Sequence, residues 1–179
     1  MKYLTESRLE TILKDILPKF TFIRDKSVPN SINKRRRPDF RCDELKTIIE
    51  FNGHSHYCKS SVIIADDEKF LDYSNLGYKV FHIPYFVQMS SELIRHIFNI
   101  DIDYEQFYPH GFVDKKAVLP ADFCSLGVDR FERDLINFDF AKEDIIKTLQ
   151  QKIQDVGNID LVLPQSMCIA YCPDTKKPT

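Results

Sequence analysis

Two acidic residues, Asp39 and Glu50, lie eleven positions apart in short runs of residues that favour β-strands. If a turn centres on Glu44 and Leu45, the two strands form a hairpin in which the two carboxylates lie opposite each other on one face. Like charges placed in this way repel, so the pair needs a cation between them or one protonated carboxyl group. A small set of oxygen ligands is typical of Mg²⁺, which completes its shell with water and phosphate oxygens. The pair therefore predicts a site where metal-activated water attacks a phosphodiester.

The same two acids could instead be solvent-facing residues of an antiparallel strand. Against this, Glu50 interrupts an otherwise apolar run, which indicates a central strand. Strand alternation places Asn52 on the same side as Glu50, adding a third polar group there. The dipeptide Asn52-Gly53 is equally typical of a tight hairpin turn, and this alternative stays open.

Four consecutive cations, Lys34, Arg35, Arg36 and Arg37, come just before Asp39. The chain of 179 residues has a formal net charge of −2, which argues against indiscriminate coating of nucleic acid but not against a local basic surface. Because this run leads directly into Asp39, its charges must lie close to the acids. We interpret it as a surface that holds the phosphate backbone of DNA without reading its sequence.

The composition is that of an ordinary globular protein, large enough for one domain or a domain with an appendage. No run of about 18 apolar residues suits a membrane span, and the first residues have no apolar stretch of signal-peptide length. Five scattered cysteines, an odd number, favour reduced thiols over a disulfide framework. We therefore expect a cytoplasmic protein with no membrane partner.

The spacing of apolar residues predicts an α/β fold in which a helix, strands, a helix and a strand follow one another. After Pro84 the pattern predicts mainly helices. We divide the chain into a core, residues 1–86, and a mostly helical C-terminal extension, residues 87–179, which could also pack with the core as one domain. The predicted elements are helices at 6–17, 66–76, 90–98 and 145–156, and strands at 20–24, 38–43, 46–52, 78–83, 160–163 and 167–170.

The ordered set of motifs over residues 7–86, about half of the chain, resembles the PD-(D/E)xK nuclease superfamily. The resemblance is to its branch of very-short-patch-repair endonucleases and small phage or mobile-element endonucleases. It implies a restriction-endonuclease-like core with a mixed central sheet flanked by helices. The matching residues are Ser7, Glu10, Asp39, Phe40, Glu50, Asn52, Gly53, His56, Tyr57, Asp66, Lys69, Gly77, Tyr78, Val80, Ile83 and Tyr85.

The resemblance implies that Asp39 and Glu50 bind Mg²⁺, for which Mn²⁺ could substitute, and that Glu10 is an additional acid. It places His56 near the scissile phosphate, as a general acid/base or as a phosphate contact. It also implies products with 5′-phosphate and 3′-hydroxyl ends. The superfamily's lysine would fall at Asn52, which cannot supply positive charge, so Lys69 on the next helix is the candidate replacement.

Two groups of residues have other interpretations. Ser7 and Glu10 also have the spacing of a capping box, in which Glu10 only closes its own helix. His54, His56 and Cys58 would alternate on one strand face and could hold zinc, although structural zinc sites usually have four ligands.

The sequence thus predicts a Mg²⁺-dependent DNA endonuclease, acting on double-stranded DNA. The extension would supply target recognition, the surface of a homodimer, or both. A catalytically inactive, nuclease-like DNA-binding module is the alternative, because the usual lysine is missing. RNA is a less favoured substrate, since the sequence offers no known RNA-binding module.

Overall fold

The computed structural model describes residues 6–104 and 120–171, and these form an α/β fold. A four-stranded mixed sheet has the strand order β1-β2-β3-β4 and is accompanied by seven α-helices within the described residues. The strands are β1 (Ile23–Arg24), β2 (Phe40–Cys42), β3 (Thr47–Asn52) and β4 (Lys79–Pro84). The helices are α1 (Glu6–Ile16), α2 (Ser55–Cys58), α3 (Ser60–Asn75), α4 (Ser91–Phe98), α5 (Ser125–Asn137), α6 (Asp139–Val156) and α7 (Gln165–Tyr171).

Strands β2 and β3 form the predicted antiparallel hairpin. Phe40 pairs with Ile49 and Cys42 with Thr47, so the turn centres between Glu44 and Leu45, as the sequence predicted. Lys46, at the end of this turn, has a φ of 48°, a left-handed conformation that tight turns often require. Strand β4 is parallel to β3, and helix α3 makes the crossover that a parallel pair needs.

Alternation along β3 gives the sheet two different faces. Ile49 belongs to the main buried cluster, together with Leu9 and Leu13 of α1. Ile48, on the opposite face, packs with Tyr73 of α3. Because successive side chains alternate, the even-numbered residues of β3 all point towards the α3 side. The acidic residue of this strand therefore lies on the face that α3 covers.

The described chain beyond residue 86 is helical, as predicted, but the sequence analysis missed α5. Phe131 of α5 is buried and its ring centroid lies 5.0 Å from that of Phe86. One buried cluster takes side chains from positions as far apart as Leu9 and Met167. The division of the chain at residue 86 stays a prediction.

Three strand predictions were wrong. His54 caps α2, and His56 and Cys58 lie within it, so these residues do not alternate along a strand. Chain reversal starts where His56 N donates to Gly53 O, immediately after β3 ends. The segments predicted as strands at 160–163 and 167–170 lie instead in a 3-10 helix (Ile159–Leu161) with its following turn and in α7.

Helix α3 begins six residues earlier than predicted but ends as predicted. Gly77 follows it with a φ of 83°, a left-handed conformation that glycine adopts at little cost. None of the helices in the described ranges is long and apolar enough to cross a membrane.

Helix α5 passes very close to α2 at Gly127. A Cβ atom at this position would lie 1.7 Å from the carbonyl oxygen of Tyr57. The backbone of α2 is held here by a hydrogen bond from Cys124 N to Tyr57 O of 3.1 Å. A side chain at position 127 would therefore push the two helices apart.

We predict that Gly127→Ala lowers the free energy of unfolding by about 1–3 kcal/mol, as overpacking does. The gain in helix propensity from glycine to alanine, about 1 kcal/mol, is too small to offset the clash. Urea unfolding measures the difference. Gly53→Ala is the control, because a Cβ there meets nothing within 4 Å. A Gly127→Ala protein as stable as the original would contradict the close approach.

Candidate active site on the α3 face of the sheet

The register of the hairpin places Asp39 opposite Glu50. Phe40 pairs with Ile49, so the next pair outward along the two strands joins the two acids. Directly opposite residues of an antiparallel pair lie on the same face. The carboxylate of Asp39 also accepts a hydrogen bond of 2.6 Å from the backbone N–H of Phe51, which fixes it at the end of the β2–β3 ladder.

Glu50 is buried, with 4% of its surface exposed. Burial raises the pKa of its carboxyl group to about 7; the charge of Lys69 opposes this rise, and that of Asp39 adds to it. Burial also raises the pKa of Asp39, against the hydrogen bond from Phe51 N–H. The two carboxyl groups thus share a poorly solvated region in which a second negative charge is costly.

Lys69, the predicted replacement for the superfamily's lysine, reaches this region from α3. Its Nζ lies 2.7 Å from Oε1 of Glu50 in an ion pair that is mostly shielded from solvent. Nζ of Lys69 is the charged partner of this oxygen among the described residues. The structure therefore brings together a cation and an acid that lie nineteen positions apart in sequence.

Asn52 is fully buried on the same face, two positions beyond Glu50. Its Oδ1 lies 3.2 Å from Nδ1 of His82 on the neighbouring strand β4. Burial, together with the charge of the nearby Arg130, lowers the pKa of His82 to about 3, so the ring is neutral. Asn52 and His82 form a neutral polar pair and add no charge to the site.

His56 is held by Asp66, one of the α3 residues in the matching motif set. Nδ1 of His56 lies 2.6 Å from Oδ2 of Asp66. Burial alone would raise the pKa of Asp66, but the contacts with His56 and Arg130 outweigh it and lower the pKa to about 2. An ionised Asp66 favours a proton on Nδ1, which leaves Nε2 of a neutral His56 as the basic nitrogen.

The sequence analysis missed Arg130 of α5, which is 3% exposed and supports this pair. Its Nη1 donates to Oδ2 of Asp66 at 2.8 Å and to the carbonyl oxygen of His56 at 3.0 Å. One turn further along α5, Asp134 accepts a hydrogen bond of 2.6 Å from the hydroxyl of Tyr57. The only sequence signal was a charged pair at i, i+4 spacing beside the apolar residues of an unrecognised helix.

Glu10, predicted as an additional acid, is engaged elsewhere. It forms ion pairs with Lys14 at 2.8 Å and with Arg24 at 2.9 Å, and the hydrogen bond from Lys14 contributes most to lowering its pKa. The acid of α1 that acts electrostatically on Asp39 is Glu6. The structure therefore places Glu10 in an ion-pair network on α1 and β1.

The loop that contains the basic run is anchored to α3. Arg36 forms an ion pair with Glu68, and the backbone N–H of Ile32 donates to both carboxylate oxygens of Asp72 at 3.1 and 3.0 Å. Arg37 lies 3.7 Å from Asp25, an exposed and therefore weak pair. The other two cations, Lys34 and Arg35, are exposed and form no ion pair with any described residue.

No family model, no curated protein and no solved structure matches this chain. The chemistry of the site must therefore be argued from its own residues. Two acids and a lysine on one face of the sheet, with an Asp-bound histidine close enough to act electrostatically on Asp39, could bind a divalent cation and supply both positive charge and a proton carrier.

Glu50 predicts a specific pH dependence of stability. Its pKa in the folded protein is about 7, above the ordinary value of 4.5, so the folded protein binds this proton more tightly than the unfolded chain. The free energy of unfolding therefore falls as the pH rises from about 4.5 to about 7. We expect Glu50→Gln to remove about 2–3 kcal/mol of this fall, measured by urea unfolding at about pH 5 and about pH 8 without divalent cations.

Glu143→Gln is the matched control, since the side chain of Glu143 is 90% exposed on α6. The control should follow the pH profile of the original protein. If Glu50→Gln also follows that profile, Glu50 titrates normally and the buried arrangement is wrong.

Proposed function

We propose that this protein is a Mg²⁺-dependent DNA endonuclease with a restriction-endonuclease-like core of the PD-(D/E)xK type. The proposal rests on one observation, the ion pair of 2.7 Å between Glu50 and Lys69. It lies on the face of the sheet where the strand register places Asp39 opposite Glu50. The mixed sheet with an α3 crossover is consistent with such a core. The resemblance predicted these three residues in these roles.

The residues fit a magnesium ion. Glu50 is buried, its Oε1 is paired with Nζ of Lys69, and its pKa is raised to about 7. A divalent cation stabilises the charged form of such a buried carboxylate more than that of a solvated one. Asp39 and Glu50 would hold the ion, with Mn²⁺ as a substitute. When bound, it would lower the pKa of a water and offset charge on the phosphate.

The side chains around the acids would have three different roles: charge stabilisation, proton transfer and positioning. Lys69 supplies the positive charge that Asn52 cannot, and it can offset charge that develops on the phosphate. His56, with Nδ1 held by Asp66, can take or give a proton through Nε2. Arg130 positions Asp66 and the backbone of His56 and does not itself contact the phosphate.

The basic run supports DNA as the partner. Lys34 and Arg35 are exposed and unpaired among the described residues, so they are available to phosphates. Arg36 is bound to Glu68, the residue next to Lys69 in α3, which keeps the run near the acids. A backbone contact of this kind holds DNA without reading its sequence, and double-stranded DNA stays the proposed partner. The cytoplasmic location and the homodimer stay predictions.

We predict that Asp39→Asn and Glu50→Gln each lower Mg²⁺-dependent cleavage by on the order of a thousandfold or more, because each removes a metal ligand. Lys69→Met should lower it by about a hundredfold, since one stabilising charge is lost. The measurement is the conversion of supercoiled plasmid to nicked and linear forms. Circular dichroism should confirm that each variant is folded.

The matched controls are Asp15→Asn on α1 and Lys147→Met on α6, both at exposed positions, and both should cleave normally. Normal cleavage by Asp39→Asn would refute the site. If the unaltered protein retains DNA on a gel but does not cut it in Mg²⁺ or Mn²⁺, the inactive DNA-binding module is the correct function. Cleavage of matched RNA but not DNA would identify RNA as the substrate.

The basic run predicts the salt dependence of DNA binding. We expect Lys34→Ala and Arg35→Ala each to weaken binding to duplexes of unrelated sequence to a similar extent. Each should also make the plot of log affinity against log salt concentration less steep by about 1. Fluorescence anisotropy over a salt series measures this, with Lys147→Ala as the control. Unchanged slopes in both loop variants would exclude these residues from the interface.

A further inference from the structure

A second group of possible metal ligands shares no residue with the carboxylate pair. Nε2 of His54 is 2.8 Å from Oδ1 of Asp122 and 3.0 Å from Sγ of Cys58. The three ligand atoms all lie within 4.8 Å of one another. This is the only group of three or more such side chains within metal-binding distance in residues 6–104 and 120–171.

The fold holds these side chains in place from two directions. His54 and Cys58 are four positions apart at the two ends of α2, and therefore lie on one side of it. Asp122 ends a 3-10 helix (Pro120–Asp122) that leads into α5. The hydrogen bond from Cys124 N to Tyr57 O ties this segment to α2, and Gly127 permits the close packing that follows. The three ligands are thus set by backbone contacts.

The surroundings of these three side chains suit a structural metal ion. The ring of His54 lies 6.2 Å from the ring of Tyr85 and 6.1 Å from that of Phe123, so aromatic groups limit solvent on two sides. The side chain of His54 is 24% exposed and that of Asp122 is 60% exposed, which leaves a path for an ion to enter.

The donor set selects the kind of metal. An imidazole nitrogen, a thiolate and a carboxylate together are typical of Zn²⁺, whereas Mg²⁺ prefers oxygen ligands alone. We propose that His54, Cys58 and Asp122 bind a zinc ion that joins α2 to the start of α5. Water would take the fourth position.

A simpler explanation is an ion pair between His54 and Asp122 with Cys58 as an uninvolved thiol. Burial raises the pKa of Cys58 to about 12, and the negative charge of Asp122 adds to the rise. Without a cation the thiol therefore stays protonated, whereas a bound zinc ion would convert it to a thiolate. The ionisation state of Cys58 thus distinguishes the two explanations.

The test uses the full chain, freed of metal by a chelator and then titrated with Zn²⁺ or Co²⁺. We expect about one equivalent of either metal to bind, and the cobalt form to show a thiolate-to-cobalt absorption band in the near ultraviolet. Competition with a chromophoric chelator should give a Kd for zinc that is higher by on the order of a hundredfold or more in Cys58→Ser and in His54→Ala.

Cys168→Ser is the matched control, because this cysteine lies in α7 and contacts the carbonyl oxygens of Leu163 and Pro164. It should bind zinc and give the cobalt band as the original protein does. Circular dichroism identifies any variant that is unfolded, and Asp122→Asn gives a third measurement if one of the others fails to fold.

The proposal is overturned if the original chain binds no zinc, or if folded Cys58→Ser binds it with unchanged affinity and retains the cobalt band. Asp39→Asn separates this site from the proposed nuclease. It should bind zinc as the original protein does, whatever its effect on DNA cleavage.

Discussion

Two carboxylates that share a poorly solvated face repel each other, and the arrangement of this side of the sheet has to satisfy that constraint. The carboxylate of Asp39 accepts a hydrogen bond from the backbone N–H of Phe51. Glu50 is buried and is compensated by one cation, Lys69. That lysine can reach it only because the parallel pairing of β3 and β4 requires a crossover helix, and α3 lies on this face. The compensation of the Glu50 charge therefore depends on the sheet topology, which places α3 and its lysine on this face.

The parts of the site that the sequence predicted depend on local rules. The period of two along a strand and the position of one turn are enough to pair Asp39 with Glu50 and to align Asn52 with it. The position of Lys69 came from a motif, and the structure places its ammonium group beside the predicted acid. Strand pairing across a short turn is readable because few registers bury Ile49 and its neighbours on the correct face.

The parts that were missed depend on contacts between distant segments. Arg130 and Asp66 are 64 positions apart, and no periodicity in either helix indicates that they meet. The mistaken strand at 54–58 has a different cause, since alternating polar residues over so few positions fit a short helix equally well. The helix rather than the strand forms because the backbone hydrogen-bonds at Gly53 and because α5 packs closely against Tyr57. These choices are made by tertiary packing, which overrides local preference.

Helix α3 carries two sets of contacts. Lys69 pairs with Glu50, while Glu68 and Asp72 hold the loop that contains Arg36. A ligand that bound this loop and altered the pKa of Glu50 through α3 would have its own affinity altered by protonation of Glu50, by the same free energy.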